Sequence, residues 1–376
     1  MRGAWQKHRR WFVGQLALWV ILVVVLRLVV VPAETTPPVD APATQRAAAA
    51  AGDWLERGQL EDGRFLYGYF REDQQVSPDY NVTRHAGVLD ALYRLGRIEA
   101  ADAGLAFTDG KFVHSEDWAA FASADAPVDV GANSLLLVAL MNRREVTGDP
   151  RHDELARQIG RFLASQQQPD GSILQFWQRE TGESVPGLFG KFSTGEAFYG
   201  FALLHDAFPD EGWNRNAHSV ADYLATRRDE AEGNFRQPDH WAAYGLATLA
   251  PDGLTETEVE YARFLAGYFG YLIRYESQNQ RSALNQLNES GASLGTIGEA
   301  TSALWRLSGE EPRLADLRDV LGTRIESLAG VLVDQQIGPA DPDPRARGAW
   351  FADGYTQMDD QQHAIAALIG SEEALR

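Results

Sequence analysis

The chain has 376 residues, enough for one large domain or two modest ones, and its 10 Trp, 12 Tyr and 17 Phe supply a sizeable core. It contains no cysteine, which excludes disulfides, thiolate metal sites and a cysteine nucleophile. The formal net charge is −19, although residues 1–31 hold five positive charges and no acid, so the remainder is more acidic still. Such a surface argues against nucleic acid or anionic lipid as a partner.

Residues 1–10, "MRGAWQKHRR", form a basic flank. Residues 11–31 are apolar apart from Arg27, which lies near the far end and can snorkel. This run is long enough to span a bilayer and longer than a usual signal-peptide core, so it reads as a transmembrane anchor. The positive flank stays cytoplasmic, which places the body in the periplasm or outside the cell. A cleaved signal ending at "VPA" before Glu34 is the competing reading. Residues 32–46 are Pro-, Ala- and Thr-rich and read as a short extended tether to a body at 47–376.

The body repeats itself loosely. "DWLERGQLEDGRF" precedes "NVTRHAGVLDALYRL", "RFLASQQQPDGSI" precedes "STGEAFYGFALL", "DYLATRRDEAEGNF" precedes "DHWAAYGLATL", and "GVLVDQQIGPADP" precedes "MDDQQHAIAALI". Repeats of this size mean stacked supersecondary units. The first helix of each pair is amphipathic, with Leu155, Ile159, Phe162 and Leu163 on one face. The second is small and apolar nearly all round, as a helix buried on both sides must be. Strand signals are nearly absent. The pattern predicts an all-α fold: six outer helices around six inner ones that begin near 81, 131, 194, 239, 296 and 360, an (α/α)6 toroid of six helical hairpins.

The stretch "RFLASQQQPDGSI" resembles the Gln-rich turn of terpenoid cyclases and protein prenyltransferases, and the six-hairpin plan is similar to the glycosidase, polysaccharide lyase and sugar epimerase toroids. The resemblance covers roughly 44–370. It does not extend to cyclase or prenyltransferase chemistry. "QMDD" at 357–360 has Gln where the cyclase signature needs Asp, and the prenyltransferase zinc set needs a Cys.

In such a toroid the inner helices start at one end and share a cavity. Their first turns hold Asp79, Tyr80, Asn81, Arg84 and His85; Asp129 and Asn133; Lys191, Thr194 and Glu196; Asp239, His240 and Trp241; Glu299; and Asp359, Asp360, Gln361 and His363. Any one Asp, Asn or Thr here can be a plain helix cap. Capping does not explain a histidine added in three of the units. The loops contribute rings, Trp177 and Trp350 among them, that suit sugars or simply pack the loops.

Three chemistries fit. Glycoside hydrolysis needs one neutral and one ionised carboxyl; Asp79 and Asp360 suit a nucleophile or base, and Glu196 among aromatic residues suits the acid. Proton abstraction, as in a lyase or epimerase, would use Tyr80, Asn81, Arg84 and His85, or the histidines His85, His240 and His363. A zinc site from those three histidines with Asp359 or Asp360 ranks last, so no metal or cofactor is expected. The leading expectation is a glycoside hydrolase acting on an envelope or extracellular glycan. Its catalytic candidates are Asp360, Asp359, Glu196, Asp79, His85 and His363, and Tyr80, Asn81, Arg84, His240, Trp241, Trp177 and Trp350 are its substrate contacts. A non-catalytic toroid that binds glycan or protein is the alternative outside enzymes. The segment 283–295 reads as a loop over the mouth.

Overall fold

The structure, a computed structural model, describes residues 2–30, 34, 36–122, 126–233, 238–279 and 291–376. Helix α1 (Arg2–Val25) runs into a π-helical turn at Leu26–Val30. Its apolar window, Trp11–Leu28, has a mean hydropathy of 2.2 and no buried residue, and it is long enough to cross a membrane.

The segment that follows docks on the body. Glu34 pairs with Arg324 at 2.6 Å and Arg274 at 2.9 Å, and the hydroxyls of Thr36 and Ser327 lie 2.9 Å apart. Helix α2 (Ala41–Arg57) begins inside the stretch read as tether. Asp40 caps it by accepting from the Ala43 amide at 2.8 Å, and Pro42 sits in its first turn.

Six hairpins follow, each an outer helix leading to an inner one. They are α2 with α3 (Val82–Arg94), α4 (Ile98–Ala106) with α5 (Val130–Thr147), and α6 (Asp153–Gln166) with α7 (Ser193–Ala207). Next come α8 (Trp213–Thr226) and a short α9 (Arg228–Glu232) with α10 (His240–Leu249), then α11 (Glu256–Asn279) with α12 (Gly291–Glu310), and α13 (Arg318–Gln335) with α14 (Met358–Ser371). The inner helices form a closed ring in which each packs on the next and α14 returns to α3. Helix α5 is buried continuously from Val130 to Arg143, whereas α6 buries only Ala156, Ile159, Gly160, Phe162, Leu163 and Gln166. The two kinds of sequence periodicity therefore separate inner from outer helices.

The repeated Gln and Gly of the turns have a mechanical role. Gln59 donates its side-chain amide to the Ala100 carbonyl at 2.9 Å, Gln167 to Asn216 at 3.1 Å and Gln336 to Ala47 at 2.8 Å. Each bond ties one hairpin to the outer helix of another. In the same turns Gly63, Gly171 and Gly348 have positive φ, and an added Cβ would lie 2.3, 2.1 and 2.3 Å from the Ala103, Ser219 and Ala50 carbonyls. No other residue fits there.

Short strands line the mouth, which the sequence did not announce. β1 (Gly68–Phe70) pairs antiparallel with β2 (Gln75–Val76); β3 (Phe112–His114) pairs with β4 (Ala119–Phe121); and β5 (Val128–Asp129), β6 (Phe176–Gln178) and β7 (Glu183–Ser184) form a third ribbon. β8 (Tyr355–Gln357) also pairs with β1, so the loops of the last and first hairpins are latched together. Strands of two or three residues are too short to show an alternating pattern.

Candidate active site

The N-terminal halves of all six inner helices border one cavity of about 510 Å³. Asn81, Thr83 and Arg84 come from α3 and its cap, Asp129 and Gly131 from α5, and Ser193 and Glu196 from α7. His240 and Trp241 come from α10, Thr296 from α12, and Asp359, Gln362 and His363 from α14. Gln175, Lys191 and Phe192 enter from the loop before α7.

Glu196 is 6% exposed. Burial first, then the negative charges of Asp129 and Asp239, push its carboxyl well above the ordinary glutamate range, which favours the neutral acid. It fits because residue 131 is glycine: a Cβ there would lie 2.7 Å from Glu196 Oε2. Asp359 is the contrasting carboxylate. Arg84 Nε lies 3.3 Å from one of its oxygens and His363 Nε2 lies 3.7 Å from the other. Arg84 is held in turn by donating to the Tyr67 hydroxyl.

His363 Nδ1 donates to Glu299 Oε2 at 2.8 Å. Burial alone would lower this imidazole, but the charge and hydrogen bond of Glu299, helped by Asp359, lift it to about 9. His240 faces it with ring centroids 5.3 Å apart and planes at 79°. Burial and the nearby His363 cation push His240 well below its ordinary value, so one ring is charged and the other neutral. His240 Nε2 makes no hydrogen bond and lies 3.7 Å from Glu299 Oε2. Among the described residues, His240, Glu299 and His363 present ligand atoms within 4.8 Å of one another, a group that could hold a metal ion. The three-histidine zinc set is not assembled, because His85 points elsewhere.

His85 is buried behind the wall between Phe65 and Phe107. Its Nε2 donates to the Gly104 carbonyl at 3.0 Å, which leaves Nδ1 to accept from the Tyr80 hydroxyl at 2.6 Å. Burial takes it down to about 4, and both nitrogens are occupied. His85 and Tyr80 are therefore a packing pair outside this cavity, not an acid and base within it.

Asp79 turns to the Ser77 hydroxyl at 3.1 Å and borders a different cavity. Asp360 accepts from the Gln357 amide at 2.7 Å and so completes a capping box at the start of α14. Of the adjacent pair, Asp359 is the one that borders the cavity. Trp177 meets Trp118 edge-on at 5.3 Å and packs a loop, and Trp350 is buried with its indole N–H on the Leu332 carbonyl at 2.8 Å. Neither borders the cavity. The loop expected at 283–295 falls largely outside the described residues, and α12 begins at Gly291. Gln175, Thr296 and Gln362 border the cavity and escaped the sequence reading.

No protein-family model matches the chain, and no curated protein sequence is similar to it. Solved structures of this shape do exist. An α-1,6-mannanase of Salegentibacter sp. HEL1_6, bound to α-1,6-mannotriose, superposes with a TM-score of 0.62 at 12% identity over 88% of this chain and 99% of that one. The body is an (α/α)6 toroid. A GH76 α-mannanase of Bacteroides thetaiotaomicron gives a TM-score of 0.58 at 11% identity over 89% of this chain and 96% of its own. The cellobiose 2-epimerase of Spirochaeta thermophila gives 0.58 at 12% identity over 89% and 98%. At such identities the toroid is shared and the activity has to be argued from the cavity.

Proposed function

We propose that this toroid is a membrane-anchored, outward-facing enzyme that hydrolyses glycosidic bonds of an envelope or extracellular glycan. One observation carries the reading: Glu196, whose buried carboxyl is pushed towards its neutral form, borders the same cavity as the arginine-paired Asp359. A glycosidase needs that division of labour. Glu196 gives its proton to the glycosidic oxygen as the C–O bond breaks. Asp359, oriented by Arg84 and His363, either takes the proton of the attacking water or attacks the anomeric carbon itself. Trp241 and Phe192 offer apolar surface to the C–H face of a sugar ring. The mannanase neighbours agree with a carboxylate mechanism, since one of them is inactive as a variant with two consecutive aspartates replaced.

The facing histidines favour a second reading. A neutral His240 and a charged His363 are a base and an acid in place for moving a proton at a sugar carbon, and two neighbours are a sugar epimerase and a cellobiose 2-epimerase.

Full-length protein in detergent, given neutral and uronate polysaccharides, separates the readings. Hydrolysis releases reducing ends without the ultraviolet absorbance of an unsaturated uronate. Glu196→Gln is then expected to cut the rate by about 10²–10⁴-fold. Deuterium uptake from heavy water into recovered sugar, with no new reducing ends, would replace hydrolysis by epimerisation. Glycan binding without either change would make the toroid a binding module.

A further inference from the structure

A second cavity, of about 690 Å³, opens beside the one that holds Glu196. The segment 79–84 walls both: Asp79 and Tyr80 border the second, Asn81, Thr83 and Arg84 the first. The partition is a pair of side chains, with the Arg84 guanidinium 5.5 Å over the ring of Tyr67, which borders the second cavity.

The lining of this second cavity reverses the chemistry of the rest of the surface. The chain has 53 acidic against 34 basic residues, yet Arg57, Arg64 and Arg345 border this space and Asp79 is the one acid among its described lining residues. Asp79 is turned to Ser77, and Arg64 pairs at 2.7 Å with Asp62 outside the cavity. Arg57 donates to the Arg347 carbonyl at 2.6 Å, and the Arg345 guanidinium stands 5.9 Å from the ring of Tyr69. Between the cations lie the tyrosine rings of Tyr67, Tyr69 and Tyr80. Tyr80 and Arg64 also border a further cavity of about 500 Å³, which Asp62, Lys111 and Arg179 line as well. Flat rings accept the C–H face of a sugar, and guanidinium forks accept carboxylate or sulfate in a bidentate fashion.

We propose that this cavity binds an acidic sugar unit, carrying carboxylate or sulfate, of the same glycan whose bond is cut in the neighbouring cavity. This rests on the hydrolase reading and adds the substrate class: an anionic glycan of more than one sugar, laid across the Tyr67–Arg84 partition.

The test uses full-length Glu196→Gln protein in detergent micelles on an array of neutral, uronate-bearing and sulfated oligosaccharides. Binding is expected on the acidic sugars alone, the two acidic sets reporting which group is taken. It should weaken with added salt and fall at least tenfold when Arg57→Ser and Arg345→Ser are combined, both residues being at the surface. Acidic glycans bound equally by the arginine variant, or neutral glycans bound as well as acidic ones, overturn the proposal. Neutral glycans that are bound and cut by the native chain would leave the hydrolase reading standing without it. Arginine-dependent binding of acidic glycans that the native chain never cuts would do the reverse. No binding to any glycan would remove both.

Discussion

Two of the histidines near the starts of inner helices, His85 in α3 and His363 in α14, live opposite lives. His85 faces back into the wall, wedged between phenylalanines, with both nitrogens occupied by neutral partners and its imidazole held down to about 4. His363 faces the cavity and two acids and is held up to about 9. Depth along the helix is similar, and rotation about the helix axis makes the difference. A first-turn position brings a side chain to the level of the mouth, but only the face it occupies decides whether it meets substrate or core.

The sharpest way to break this comparison is to exchange each ring for an amide. His363→Gln is expected to lower turnover by about 10²-fold or more, since it removes the charge that holds Asp359. His85→Gln should leave the turnover of folded protein within a small factor and lower Tm instead. Steady-state kinetics beside thermal melts would read both, and equal losses of turnover would void the contrast.

Acidity gives the next largest effect, with opposite signs for the two rings. His85 is depressed from 6.5 to about 4, so it favours the fold above pH 6.5 and that contribution is lost as pH falls towards 4. His363 is raised from 6.5 to about 9, so it favours the fold below pH 6.5 and that contribution is lost as pH rises through 9. Each is worth about 3 kcal/mol across its window. Denaturant melts over pH should show His85→Gln flattening the acid limb and Glu299→Gln flattening the alkaline limb. Turnover should also fall on the alkaline side, as Glu196 gives up its proton.

A finer probe leaves every titrating group in place. Gly131→Ala would put a methyl 2.7 Å from Glu196 Oε2, at the free end of that side chain. The acid should move while the helix holds. Turnover is expected to fall by up to about 10²-fold with Tm little changed. Full activity would show that the position of Glu196 is not critical.

Much of this was legible beforehand. The expected inner-helix starts near 81, 131, 194, 239, 296 and 360 compare with observed starts at 82, 130, 193, 240, 291 and 358. The first and last hairpins meet, as closure of such a ring requires, in the packing of α14 on α2 and α3 and in the β1–β8 latch. Glu196, His240, Trp241, Asp359 and His363 do gather in one cavity, with Asn81 and Arg84. Asp79, Tyr80, His85, Trp177, Trp350 and Asp360 do not.

Periodicity is a property of the chain: a helix apolar all round must be buried, and one apolar on a stripe must cover it. The repeat therefore determined twelve helices, their order and the end at which the inner ones begin. The choice between Asp359 and Asp360 is a difference of about 100° around one helix axis. It was settled by the capping bond that Asp360 makes to Gln357. The pairing of Glu299 with His363 joins two neighbouring inner helices, and that of Arg84 with Asp359 joins the first inner helix to the last across the closure of the ring. Tertiary packing alone decided them.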